Sequence, residues 1–342
     1  MNRFAIGVDL GGTNLRVAAV DECGTLVEKV TLGSKPSRGR EYVIADMCDA
    51  IQSMSDKFRG SAPMLGKGIG VPGTIDLQTG LVGGCNLPGW IDYPAQAAIE
   101  NRLKRTVILE NDANLAALGE KWLGAAKDFP DMAMVTLGTG VGAGFIFGGK
   151  IWGGANGMAG EVGHATVNPD GELCGCGNRG CLEWYASATG IVRLAQRAIE
   201  KNGSSPLAYA ARSVSELSSK AIFNLAMQGD EDSQEIFCYV GRCLGIALST
   251  LVNTLNLPMH VIGGGVASAW DAFAPSMFDE LRLRSMVYVA TAPDYRSALK
   301  YGSSALLEAG SKHKTIITRA LVGSDAGLYG AARLPMMVEA KP

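Results

Sequence analysis

Phe4-Ala-Ile-Gly-Val-Asp-Leu-Gly-Gly-Thr-Asn-Leu-Arg-Val-Ala-Ala-Val20 reads as a buried strand, a tight turn and a returning strand. The apolar run from Phe4 to Leu10 has no helical period, Gly11-Gly12-Thr13-Asn14 supplies the bend, and Leu15 to Val20 carries the chain back. The pattern recurs as Met132 to Leu137, a turn from Gly138 to Gly144, and Phe145-Ile-Phe147. Two copies of one unit predict two similar lobes, each opening with strand, glycine turn and strand.

The rest of the chain alternates helix and strand. Val43, Ile44, Met47, Ala50, Ile51 and Met54 repeat with a helical period between Glu41 and Phe58, and Lys67 to Val71 is a strand stopped by Pro72-Gly73. Thr106 to Glu110 is another strand, followed by a helix from Asp112 to Lys121 with Asp112 as its expected N-cap. Further helices are expected near 186–201, 214–228 and 231–255, then a strand at Met259–Ile262 and a turn at Gly263-Gly264-Gly265. Alternation of this kind is the mark of an α/β fold.

A chain of 342 residues with 47% hydrophobic content exceeds the size at which single cores stop growing, which agrees with two lobes. Lys and Arg total 31 against 33 Asp and Glu, and no run of five like charges occurs, so a nucleic-acid partner is not expected. Met1 to Ile6 has no signal-like pattern and no stretch of ~18 uninterrupted apolar residues occurs, so a cytoplasmic protein without a membrane partner is expected. Of eight cysteines, three crowd into 174–181, whereas Cys23, Cys48, Cys85, Cys238 and Cys243 are scattered and read as buried free thiols.

Three groups of residues carry chemistry. Asp9, Gly11, Gly12 and Thr13 end a strand with little side-chain bulk, so backbone N–H groups can approach phosphate oxygens, and Asp9 can hold Mg²⁺. Gly138, Thr139 and Gly140 offer the same apparatus from the second copy; each turn taken alone also reads as an ordinary hairpin tip. His164, Cys174, Cys176 and Cys181 supply one imidazole and three thiols within eighteen residues, a set suited to a closed tetrahedral zinc site; incidental thiols in a loop are the bland alternative. Asp112, after the 106–110 strand, is placed for a general base, with helix capping as its alternative. Asn111 adjoins it, and Glu161 and Glu183 bracket the cysteine segment as ligands or as solvated surface acids. Gly68-Ile-Gly-Val-Pro-Gly73 matches a dinucleotide fingerprint in spelling only, since Pro72-Gly73-Thr74 is a turn and not a helix start. No P-loop motif occurs.

Asp9-Leu-Gly-Gly-Thr13, Leu137-Gly-Thr-Gly-Val-Gly142, Ala159-Gly-Glu-Val-Gly-His164, Cys174-Gly-Cys-Gly-Asn-Arg-Gly-Cys-Leu-Glu183 and Val261-Ile-Gly-Gly-Gly-Val266 together resemble the ROK family of sugar kinases and repressors, in order and spacing along nearly the whole chain. The resemblance implies a two-lobed actin- and hexokinase-like (ribonuclease H-like) α/β fold closing over sugar and ATP. Its expected lobes are 1–116 with about 322–342, and 117–321 with the zinc loop. It implies that Asp112 is the base for a sugar 6-hydroxyl, and that Asn111 and the Gly73 backbone contact the ring. Glu161, His164 and Glu183 would hold hydroxyls near the anomeric carbon, while Gly264 and Gly265 would border the adenosine. Asn86, in Cys85-Asn-Leu-Pro-Gly-Trp90, matches a loop near the sugar.

Ala155-Asn-Gly-Met-Ala-Gly-Glu161 is similar to the glucokinase members, whereas fructokinase-type members carry His-Pro-Glu at the acid. Glucose is therefore the expected substrate, ATP with Mg²⁺ the expected donor, and a homodimer or homotetramer the expected assembly. N-acetylglucosamine, N-acetylmannosamine and fructose kinases are the enzymatic alternatives, and ADP or polyphosphate the alternative donors. The alternative of another class is a sugar-responsive regulator. Asn256-Leu-Pro-Met-His260 departs from the family's usual Asn-Pro-Glu, and Met286 to Lys300 matches poorly.

Overall fold

The computed structural model describes residues 2–76, 78–84, 87–213, 217–292 and 314–339. The strands are β1 (Phe4–Leu10), β2 (Asn14–Asp21), β3 (Leu26–Gly33), β4 (Met64–Val71), β5 (Ile108–Asn111), β6 (Met132–Leu137), β7 (Val141–Phe147), β8 (Lys150–Ile151), β9 (Met259–Gly263) and β10 (Ile316–Arg319). The first helices are α1 (Arg40–Lys57), α2 (Ala95–Leu103), α3 (Asp112–Leu123), α4 (Glu183–Ala186), α5 (Ala188–Lys201) and α6 (Pro206–Ser213). They are followed by α7 (Ser219–Met227), α8 (Glu231–Leu255), α9 (Trp270–Arg284), α10 (Met286–Thr291) and α11 (Ala326–Glu339).

The two sheets have the same topology. The first runs β3-β2-β1-β4-β5, and the second, taken from its other edge, β8-β7-β6-β9-β10. In both, the strand after the first crossover lies parallel to the opening strand, β4 on β1 and β9 on β6, and the last strand is parallel again. The duplication expected from two glycine turns is thus a duplication of whole sheets. In the first copy the predicted hairpin has Asp9 opposite Arg16 and Leu10 opposite Leu15.

The chain divides into two compact units, one of Met1–Pro130, Gly144–Gly160 and Leu321–Pro342, the other of Asp131–Ala143 and Glu161–Ala320. The expected boundary at 116 falls inside α3, the whole of which belongs to the first unit. In that unit α1 and α2 cover the sheet with Met47, Ile51 and Ile99, which are fully buried. Helix α11 packs on the same unit's β1, β2 and β4 through Leu328, Ala332 and Met336. The approach is close enough that a Cβ on Gly68 of β4 would lie 2.0 Å from the Ala331 carbonyl oxygen, so the strand needs glycine there.

The second unit is centred on α8. Asp230 caps it by accepting the Ser233 N–H at 2.9 Å, and Phe237, Val240, Leu244, Leu248 and Val252 face one core at helical spacing. This helix is long and apolar enough to cross a bilayer by composition. Its burial against α5, α7 and α9 accounts for that composition.

Three expectations are corrected. The second glycine turn ends at Gly140, because β7 already begins at Val141; Gly144 lies within it, where a Cβ would be 2.7 Å from the Ala113 carbonyl of α3. The N-cap of α3 is Asn111, not Asp112. Cys48 and Cys243 are buried, but Cys23 and Cys238 are exposed. Asn86 and Cys85, and the part of the poorly matching segment from 293 to 300, lie outside the described residues.

Candidate active site

In the first unit, the end of β5 and the start of α3 carry Asn111 and Asp112. The Asn111 oxygen accepts the N–H groups of Ala113 and Asn114 at 2.9 and 3.1 Å, satisfying two donors that a helix start leaves open. Its amide nitrogen donates to the Gly73 carbonyl at 2.9 Å, tying the cap to the turn after β4. Capping is therefore Asn111's task. Asp112 occupies the first helical position, and one of its oxygens accepts the Ala113 N–H at 2.9 Å, which fixes the carboxylate's orientation. Beneath them the buried Glu110 accepts from Asn111 N–H and the Asn114 amide, at 2.8 and 3.0 Å. Burial pushes the Glu110 carboxyl above the usual range against those two donors.

The loop after Gly73 ends in Trp90, which is fully buried. Arg40 holds it by donating to the Gly89 carbonyl and stacking 3.7 Å from the Tyr93 ring centroid.

The first glycine turn is closed by Gly11 N–H donating to the Asn14 carbonyl at 2.8 Å, so that donor is spent. Gly12 and Thr13 remain exposed at the tip. Asp9 stands behind them with Arg16 at 3.5 Å, and Arg16 also reaches Asp325 at 3.7 Å. Burial raises the Asp9 carboxyl, Arg16 opposes this, and Asp325 adds to the rise.

In the second unit, Glu161 and His164 open and close one turn of 3₁₀ helix, which puts Glu161 Oε2 at 3.8 Å from His164 Nε2. The other ring nitrogen, Nδ1, faces Cys174 Sγ at 3.7 Å, and Cys176 Sγ lies 3.7 Å from Cys181 Sγ. All four ligand atoms fall within 4.8 Å of one another. Ligands at about 2.3 Å (sulfur) and 2.0–2.1 Å (nitrogen) on the corners of a tetrahedron lie roughly 3.5–3.8 Å apart, so the donor set fits one tetrahedral ion. Burial, then the neighbouring thiols, push the Cys181 thiol up to about 12. The Asn178 backbone N–H pulls Cys176 down. A bound cation would discharge these protons.

Glu183 begins α4 and accepts the Val141 N–H at 2.9 Å. Gly163 presses on the same residue, with a Cβ placed there only 2.1 Å from the Val141 carbonyl. The Glu161–His164 turn and Glu183 are thus both seated on the start of β7. The turn before it is closed by Gly138 N–H donating to the Gly140 carbonyl at 2.9 Å. Gly138, Thr139 and Gly265 line one cavity of about 340 Å³ with Ser268 and with Lys220 and Phe223 of α7. That size lies within the range of small-molecule pockets. Gly264 sits beside Gly265 with φ near 85°, where a Cβ would be 2.4 Å from the Leu137 carbonyl.

The model of the ROK family matches residues 5–336. The chain belongs to the ROK family. This ROK protein is 36% identical over 330 residues to a glucokinase of Thermotoga maritima, covering 96% of each chain. It is also 36% identical over 299 residues to a glucokinase of Halalkalibacterium halodurans, covering 87% of this chain and 91% of that one. Among solved structures, a ROK family glucokinase from Streptomyces griseus in complex with glucose and AMPPNP superposes with a TM-score of 0.76 at 30% identity. That superposition covers 98% of this chain and 99% of the other. The fold is that of actin-like sugar kinases.

Lys220, Phe223 and Ser268 escaped the reading of the ROK sequence. The 219–227 stretch shows only an amphipathic helix, and nothing local tells which of its residues borders a cavity built with residues about 40 to 85 positions away.

Proposed function

We propose that this chain is an ATP-dependent glucokinase, transferring the γ-phosphoryl group to the 6-hydroxyl of glucose. The observation that carries the reading is the division of labour at the start of α3. Asn111 caps the helix and ties it to the Gly73 turn, while the Asp112 carboxylate is held in a fixed orientation at the first helical position by the Ala113 N–H. The glucokinase names of relatives at 36% identity support the same reading.

In the reaction, the 6-hydroxyl oxygen attacks the γ-phosphorus while its proton passes to Asp112. The O6–P bond forms, the bond from γ-phosphorus to the bridging oxygen breaks, and ADP leaves with that electron pair. Asn111 and the Gly73 backbone orient the far end of the ring. Glu161, His164 and Glu183 hold the hydroxyls near the anomeric carbon, with His164 using Nε2 because Nδ1 faces the thiols. Zn²⁺ held by His164, Cys174, Cys176 and Cys181 would brace that loop and fix the histidine tautomer. The Gly11–Thr13 and Gly138–Gly140 turns serve the phosphates and Gly264-Gly265 the adenosine. Asp9 would be the protein's share of a Mg²⁺ site, where the metal would neutralise phosphate charge. A homo-oligomer without nucleic-acid or membrane partners, in the cytoplasm, completes the proposal.

A coupled assay with glucose, fructose, N-acetylglucosamine and N-acetylmannosamine against ATP, ADP and polyphosphate tests it. The highest kcat/KM is expected for glucose with ATP. A higher value for another sugar would reassign the substrate, and sugar binding with no phosphoryl transfer from any donor would return the regulator reading.

A further inference from the structure

The residues from Glu183 to Thr189 grip the turn Gly138–Val141 at three points. Glu183 Oε2 accepts the Val141 N–H at 2.9 Å, and the approach is so close that a Cβ on Gly140 would lie 2.4 Å from that oxygen. Ala188, first in α5, donates its N–H to the Gly138 carbonyl at 2.8 Å, so a donor left open by the helix start is used. Thr189 Oγ1 donates to the Thr139 carbonyl at 2.9 Å. Ser187 links these anchors to the sugar-side residue: its hydroxyl donates to the Glu183 carbonyl at 2.7 Å and lies 3.0 Å from the Thr189 hydroxyl.

The consequence follows from peptide planarity. In a trans peptide the C=O of one residue and the N–H of the next point in opposite directions. With the Gly138 and Thr139 carbonyls drawn to α5, the N–H groups of Thr139 and Gly140 are aimed away from it. Glu183 takes the Val141 N–H out of service, and Gly138 N–H is spent in closing the turn. Among the described residues the Thr139 and Gly140 N–H groups are left for a ligand, and successive backbone N–H groups in a turn can receive an anion. The first turn is built alike. There Ser34 Oγ donates to the Gly12 carbonyl at 2.8 Å, and Ser34 N–H to the Thr13 carbonyl at 3.0 Å.

We propose that Thr189 is a positioning residue that aims the Gly140 N–H at a donor phosphate, and that the Glu183–Thr189 segment relays sugar occupancy at Glu183 to that turn. The inference rests on the kinase reading above. Sugar that orders Glu183 also orders the turn, so sugar and nucleotide bind with mutual enhancement, and by linkage the factor is the same in both directions.

The test compares Thr189→Val and Thr189→Ala, which lack the hydroxyl, with Thr189→Ser, which keeps it. Loss of one hydrogen bond to the turn should raise KM for ATP about five- to tenfold in Val and Ala, with Ser within about twofold of wild type. Glucose affinity measured calorimetrically without nucleotide should stay within about twofold in all three, while the enhancement of glucose binding by AMPPNP falls toward one in Val and Ala. Wild-type KM for ATP in both Val and Ala, or a Ser variant as impaired as they are, overturns the proposal. Thermal unfolding of each variant identifies a merely structural effect, which would lower stability and glucose affinity together. A wild-type chain that fails to phosphorylate glucose would sink the kinase reading instead.

Discussion

The amide of Asn111 donates to the Gly73 carbonyl at 2.9 Å while its oxygen accepts the first N–H groups of α3, so one side chain joins the turn after β4 to the start of α3. Its two ends can be tested separately. Asn111→Ala loses both and should cost about 1–2 kcal/mol, seen as a lower denaturation midpoint. Asn111→Asp keeps the cap acceptor but leaves Gly73 without its donor. Most of the stability should survive while KM for glucose rises. Equal losses of stability in the two variants would show that the cap is not what the oxygen contributes.

Asp112→Asn separates proton acceptance from binding. The amide keeps size and one acceptor oxygen but cannot take a proton. Steady-state kinetics should show kcat falling by the ~10²–10⁴ typical of general base catalysis, with glucose affinity little changed. Retention of more than about a tenth of kcat would move the base elsewhere.

Cys176→Ser removes one thiolate from a set whose four ligand atoms lie within 4.8 Å. Elemental analysis should find about one zinc per wild-type chain and far less in the variant. Unfolding temperature and glucose affinity should fall together, since His164 loses its brace. A variant with unaltered stability and affinity would uncouple the cluster from the residues proposed to hold the sugar.

His260 is fully buried in β9, and neither ring nitrogen has a partner among the described residues. Burial lowers its pKa from 6.5 to about 4. The unfolded chain therefore binds the proton more readily. The stability contributed by the neutral ring is complete above about pH 6.5 and is lost as pH falls toward 4, about 3 kcal/mol in all. His260→Leu should flatten that part of the pH–stability curve. A slope between pH 6.5 and 4 identical to wild type would assign the acid sensitivity to other groups.

Glu120, wholly buried near the end of α3, accepts the N–H groups of Ala125, Leu321 and Val322 at 2.9, 3.2 and 2.7 Å. Glu120→Ala strands the buried Ala125 N–H, takes the partner from the part-buried Leu321 and Val322 N–H groups, and should destabilise by about 3 kcal/mol in chemical denaturation. A loss below about 1 kcal/mol would mean that water replaces the carboxylate.

What the sequence determined by itself was local or repeated. The hairpin from Phe4 to Val20, its second copy at Met132, and the helices on 40–57 and 231–255 follow from period and glycine placement, which depend on neighbours a few residues away. The cluster of three thiols and one imidazole was legible because its members crowd into one loop. Only the tertiary structure decided matters resting on distant partners. Asn111, not Asp112, caps α3 because Gly73, 38 positions earlier, receives its amide. Helix α11 lies on β1 and β4 because Gly68 admits the Ala331 carbonyl. Thr189 looks like one polar residue at a helix start until the fold sets it 2.9 Å from the Thr139 carbonyl, 50 positions away. A propensity is a property of a short segment; a hydrogen bond across that separation exists only once the strand turn and the helix start have been brought together by the packing of their own unit.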